Sequence, residues 1–70
     1  MDSKNNQNLR KEVGLKLKKA REKAHMTQAQ VAKSANLNVN YYAQIERGEV
    51  NATFEKLEDI MKALSIKSLI

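Results

Sequence analysis

The stretch from Thr27 to Gly48 constrains this chain more than any other, because it holds two helix starts, two helix stops and the apolar spacing of two short helices. Thr27 followed three residues later by Gln30 is a capping-box pattern. The threonine hydroxyl accepts the Gln30 N–H, and the glutamine side chain reaches back to the Thr27 N–H. Val31 and Ala32 then fall inward while Gln30 and Lys33 fall outward. Asn36 interrupts, as a residue that tolerates positive φ should, and Leu37 after it is expected to point into the core. Asn38 is a second N-cap. Tyr42 and Ile45 are three apart and share a face, which leaves Asn38, Asn40, Tyr41 and Gln44 on the outer side. Gly48 stops the second helix from the position just past its end. The stretch therefore predicts helices over about 28–35 and about 39–47, joined by a tight turn.

The flanks read as helix too. Leu9, Val13, Leu17, Ala20 and Ala24 repeat at three or four residues. They predict a first helix from Asn8 or Leu9 to about Lys23 with one inward stripe. Lys11, Lys16, Lys18, Lys19 and Lys23 lie largely outside that stripe. Residues 1–7 are polar, Asn-rich and capless, and are expected to form a disordered arm ahead of a domain over 8–70. Thr53 caps a last helix with Glu55 in its first turn. In that helix Phe54, Leu57, Ile60, Met61 and Leu64 form the apolar stripe, and Glu55, Lys56, Glu58, Asp59 and Lys62 a mixed-sign solvated face. Ile66 to Ile70 is too short to bury itself and is read as a final helical turn closing the core. There is no Pro, and apolar residues nowhere alternate with polar ones, so no strand is expected. The predicted class is all-α, a compact bundle of four to five helices.

Seventy residues allow one small domain with a thin core, since a chain this short buries only about 60% of the surface its unfolded form exposes. Cys is absent, so there is neither a disulfide nor a thiolate metal site. His25 is the only histidine and reads as a loop residue. The carboxylates fall mainly on exposed helix faces, and no Gly-rich phosphate loop is present. The sequence therefore predicts no enzyme, no catalytic residues, no metal, no cofactor and no small-molecule ligand. No apolar run is long enough to span a membrane, and the polar N-terminus lacks the apolar segment of a signal peptide, so the expected location is the cytoplasm. The net charge of +5 is uneven. Residues 1–24 carry eight Lys/Arg against three acids, residues 25–48 two against one, and residues 49–70 three against four. From Ser34 to Ile45 no residue is charged. A basic segment suits phosphate, whereas amides suit base edges; lysines that merely solvate a helix face are the bland alternative.

Cap, helix, turn, cap, helix, Gly is the layout of a helix-turn-helix. Thr27-Gln28, the Val31-Ala32 pair, Leu37, the Tyr42 and Ile45 core positions and Glu46-Arg47-Gly48 stand in an order and spacing that resembles the Cro/repressor-type (XRE) helix-turn-helix family. The resemblance runs from about Gly14 to about Ile66. It implies a lambda-repressor-like DNA-binding domain and a sequence-specific transcriptional regulator, of repressor or controller type, bound to double-stranded DNA. By the same resemblance the third helix enters the major groove, with Asn38, Val39, Asn40, Tyr41 and Gln44 as base-reading candidates. Thr27, Gln28, Arg47, Gly48 and Asn51 are the phosphate-binding candidates, and Arg21 and Glu46 a structural ion pair. Asn and Gln bridge adenine N6 and N7 and Val39 suits a thymine methyl, so A·T-containing half-sites are expected. The family places a glycine where Gly14 stands, for which close packing or a loosened first turn is the expected reason.

Related proteins often dimerise through the C-terminal region. The resemblance therefore implies a homodimer on a two-fold symmetric operator through Ile66, Leu69 and Ile70, with closure of the core as an equal role for the same residues. The chain departs from the family at Asn36 (usually Gly), Tyr42 (usually a small aliphatic), Glu49 (often basic), Ala52 (often Pro) and Ser65 (usually Gly). A phenol in the core needs a partner, so Tyr42 is expected half buried with its hydroxyl at the rim. Glu49 and the acidic balance after it also fit a second reading, a protein-interaction module or antitoxin-type adaptor on the same scaffold.

Overall fold

Local capping chemistry sets the helix boundaries. A computed structural model describes residues 3–67, with side-chain surroundings from Gln7 onward. Its helices are α1 (Ser3–Lys23), α2 (Gln28–Ser34), α3 (Val39–Glu46) and α4 (Phe54–Leu64), with no strand among the described residues. Thr27 starts α2 with both halves of the capping box in place: the Gln30 N–H donates to its Oγ1 at 3.1 Å, and its own N–H donates to Gln30 Oε1 at 2.8 Å. Asn38 Oδ1 accepts the N–H groups of Asn40 and Tyr41, and Thr53 Oγ1 accepts that of Lys56.

All four helices stop alike. Just past each end stands one left-handed residue: His25 (φ 58°), Asn36 (φ 58°), Gly48 (φ 74°) and Ser65 (φ 57°). That residue's N–H and the next one's turn back onto the last helical turn. The paired bonds are His25 to Glu22 with Met26 to Arg21, Asn36 to Lys33 with Leu37 to Ala32, Gly48 to Ile45 with Glu49 to Gln44, and Ser65 to Lys62 with Ile66 to Met61, at 2.8–3.1 Å. This is the Schellman arrangement, which satisfies the last carbonyls of a helix.

Leu17, Val31, Ala32, Ala35, Tyr42, Ile45, Ile60 and Leu64 form the buried core. Met26, Leu37 and Ile66 pack against it. Ile66 therefore helps close the core, though no helical turn follows it within the described residues; Leu69 and Ile70 lie outside them. Gly14 is where α1 meets the end of α3. A Cβ there would collide with the Glu46 carbonyl oxygen and stand 2.6 Å from that of Ile45. Close packing, rather than a loosened turn, explains this glycine.

Four expectations fail for physical reasons. The helix expected from Asn8 or Leu9 already begins at Ser3. No Gly or Pro precedes Gly14, and once a helix is nucleated each further residue adds a bond. Residues 3–7 are thus helical rather than a disordered arm, and Met1 and Asp2 lie outside the described residues. Leu9 (55% exposed) and Ala24 lie on the inward stripe but are exposed, Leu9 at the edge of an open depression shared with Val50 and Leu57. Phe54 is 75% exposed, because at 3.6 residues per turn it points about 100° away from the Ile60–Leu64 line. Tyr42, expected at the rim, is fully buried. Its hydroxyl has no partner in hydrogen-bonding geometry, and burial first, then the neighbouring Glu46 carboxylate, push its pKa well above the ordinary phenol value.

Candidate nucleic-acid interface

The outward face of α3 is uncharged. Tyr42, Ile45 and Glu46 turn inward, so Asn40 is exposed and Ala43 and Gln44 half exposed away from them, while Val39 is exposed in the first turn, near the Glu46 line. Asn40 and Gln44 are one helical turn apart and project together, with the small Ala43 on the other side of Asn40. Ala43 is the member of this face that the residue types do not single out. A methyl there leaves room for close approach, and only the register of α3 shows it.

The other two base-reading candidates are placed differently. The Asn38 carbonyl is committed to capping α3, which leaves its NH₂ to interact outward. Tyr41 lies toward α4, half buried, with Lys56 Nζ 5.8 Å from its ring centroid. It stands at the margin of the face rather than its centre.

Beneath that face sits a buried ion pair. Arg21 Nε donates to Glu46 Oε2 at 2.7 Å and Nη2 to Oε1 at 3.2 Å, while Nη1 donates to the Met26 carbonyl at 3.1 Å. The Glu46 side chain is only 3% exposed. Burial alone would raise its pKa, but Arg21 first, then the Tyr42 hydroxyl and Gln28, outweigh it and hold the carboxyl below the ordinary range. Glu46 in turn holds the Arg21 guanidinium above its ordinary value. The expected structural pair is therefore present. It also includes Gln28, whose Nε2 donates to Glu46 Oε1 at 3.0 Å. The side chain expected on phosphate is thus tied inward by one N–H, with its second N–H and its carbonyl left over.

The phosphate candidates divide into two places. Gln28 and Arg47 line one groove together with Lys11, Leu15, Lys18 and Glu46, and Thr27 adjoins it at the start of α2. Gly48 presses on α1 here: a Cβ on it would stand 2.8 Å from Lys11 Cα. Asn51 instead lines a separate depression with Leu9, Arg10, Val13, Val50 and Leu57. Lys11 and Lys18 are the groove residues that sequence reading left among undifferentiated exposed lysines. Their seven-residue separation put them on one face of α1, but nothing local showed that α2 and the end of α3 come up against it. Arg47 is itself paired: its Nε and Nη2 donate to the two carboxylate oxygens of Glu49 at 2.8 and 3.1 Å in an exposed contact.

No helix among the described residues is long and apolar enough to cross a membrane. Among the same residues no group of three or more His, Cys, Asp and Glu side chains is placed to hold a metal ion.

The model of the HTH_3 family, described as helix-turn-helix, matches residues 17–69. The chain belongs to the XRE-type helix-turn-helix family. Within that family it is similar to the immunity repressor protein of Bacillus phage phi105, with 40% identity over 55 residues. That alignment covers 79% of this chain but only 38% of the repressor's length. It is also similar to the wild-type restriction-modification controller protein C.Esp1396I, at 38% identity and a TM-score of 0.82 over 87% of this chain and 80% of the controller. The same controller, as a tetramer in complex with its natural 35 base-pair operator, superposes with a TM-score of 0.81 at 38% identity, over 87% of this chain and 80% of that one.

Proposed function

We propose that this chain is a sequence-specific double-stranded DNA-binding regulator of transcription, of the repressor or controller type, acting in the cytoplasm. The observation that carries the reading is one surface: the uncharged face of α3 bearing Val39, Asn40 and Gln44, beside a groove bearing Lys11, Lys18 and Arg47. In the major groove the two amides bridge adenine edges and Val39 meets thymine methyls. The lysines set the register on phosphate without reading sequence. No bond is made or broken; the protein acts by occupying its site. The phage immunity repressor and the operator-bound controller support this reading, as does the controller's oligomeric state. A homodimer would set two copies of α3 about 34 Å apart on a palindromic operator.

The test is selection of binding sites from random duplexes, followed by salt titration. Selected half-sites are expected to contain A·T pairs at the positions facing Asn40 and Gln44, and Gln44→Ala is expected to relax the preference there while leaving the melting temperature unchanged. Lys11→Ala and Lys18→Ala should weaken binding to all sequences alike and each lower the slope of log K against log salt by about 1. Uniformly G·C half-sites would overturn the assignment of the reading face. A protein-interaction module on the same scaffold is the second reading, favoured by the carboxylate that Glu49 lays against Arg47. Failure to bind any duplex at low salt would leave that reading in place.

A further inference from the structure

We propose, building on the duplex-binding reading above, that Glu49 is an internal stand-in for phosphate: its carboxylate closes the Arg47 fork and withholds one backbone contact from DNA. Two parallel N–H donors facing two oxygens is the arrangement by which a guanidinium grips a phosphate. In this molecule a carboxylate already occupies it, through Arg47 Nε and Nη2 at 2.8 and 3.1 Å. Each partner holds the other in its charged form: Glu49 raises the Arg47 pKa, and Arg47 lowers that of Glu49.

The cap of α3 makes this contact more than a chance meeting of two surface side chains. The Glu49 N–H is bonded to the Gln44 carbonyl at 2.9 Å and the Gly48 N–H to that of Ile45 at 3.1 Å. Gly48, in the left-handed region, is seated against Lys11. The backbone that carries Glu49 is therefore fixed with its side chain beside Arg47, and only side-chain rotation is needed to close the pair. The carboxylate that lines the groove itself, Glu46, is satisfied from inside by Arg21 and Gln28. Arg47 thus stays with Glu49, and the groove meets a duplex with Lys11 and Lys18 as its free cations. Being exposed on both sides, the pair opens readily to a competing anion. Phosphate must displace Glu49 to gain Arg47, so affinity for every duplex is held down.

The experiment compares wild type, Glu49→Gln, Arg47→Ala and the double variant on the selected operator and on a random duplex, between 50 and 200 mM salt. Glu49→Gln is expected to bind both duplexes more tightly. One added phosphate contact steepens the salt slope by about 0.9, so the gain shrinks about 3.5-fold across that salt range. In the Arg47→Ala background the same substitution should lose most of its effect. Equal gains in both backgrounds would make Glu49 a plain surface charge and overturn the proposal, as would no gain at all. If neither wild type nor Glu49→Gln bound any duplex at 50 mM salt, the duplex-binding reading itself would fall.

Discussion

Glu46 and Arg47 are neighbours at the end of α3, and each belongs to an arginine–glutamate pair of nearly the same length, 2.7 and 2.8 Å. The chemistry is the same and the surroundings are opposite. Glu46 faces inward with its side chain 3% exposed and draws donors from α1 and α2, whereas Arg47 and Glu49 are 56% and 51% exposed and bonded to one another. Water decides what each pair is for. Removing one partner of the buried pair leaves a charge without solvent or counter-ion. Removing one partner of the exposed pair leaves a solvated charge free to meet another ion. One residue step along the helix thus separates a contact that fixes where α3 sits from one that governs what its end can bind.

The largest effect should come from the buried side. Arg21→Ala or Glu46→Ala is expected to cost about 3–5 kcal/mol in stability, read as a lowered midpoint in urea. Arg47→Ala or Glu49→Ala should leave that midpoint where it is. A comparable loss from both pairs would break the contrast.

Acid should separate the pairs next. Glu46 has a lowered pKa in the fold, so its stabilising contribution is complete above the ordinary glutamate value of about 4.3 and is lost as pH falls through the lower folded value. The melting temperature of the wild type should therefore drop more steeply below about pH 4 than that of Glu46→Gln, which starts lower and has no such group to protonate. Parallel curves would mean that the carboxyl is not held in its charged form.

The smallest effect sharpens the comparison by testing the caps that position both pairs. His25, unlike Gly48, carries a side chain in the left-handed region. His25→Gly is expected to raise stability by about 0.5–1 kcal/mol, and DNA affinity should not change.

The sequence discloses what is local. Thr27, Asn38 and Thr53 are readable as caps because a cap is decided within three or four residues, and Asn36 and Gly48 are readable as stops because few residues accept positive φ. His25 hides, since histidine is ordinary in loops; its conformation follows from the turn that brings Met26 onto the core and its carbonyl under Arg21. Ser65 is visible only as the place where a glycine is missing. The outward face of α3 follows from spacing, except Ala43, which has no polar group to draw notice. The groove was illegible because it is assembled from α1, α2 and the end of α3, and the company that Lys11 and Lys18 keep is a long-range fact. The commitment of Gln28 to Glu46 is hidden for the same reason, whereas that of Arg47 to Glu49, two residues on, depends on the local turn at Gly48. Both bear the right chemistry for phosphate, and both already have a partner within the chain.

The contact at Gly14 has a consequence for how such a protein can change over time. At Gly14 the basic helix touches the backbone of the end of α3 directly, with no side chain at that point to grow, shrink or rotate, while the Arg21–Glu46 pair ties the same two elements from the side. Both contacts use the inward side and the backbone of α3, so the outward residues Asn40 and Gln44 have no part in setting its angle. If α3 reads DNA as proposed, substitutions at Asn40 or Gln44 would alter which operator is chosen and leave the seat of the helix on the domain unaltered. New specificities would then arise one amide at a time, without passing through forms in which α3 is displaced.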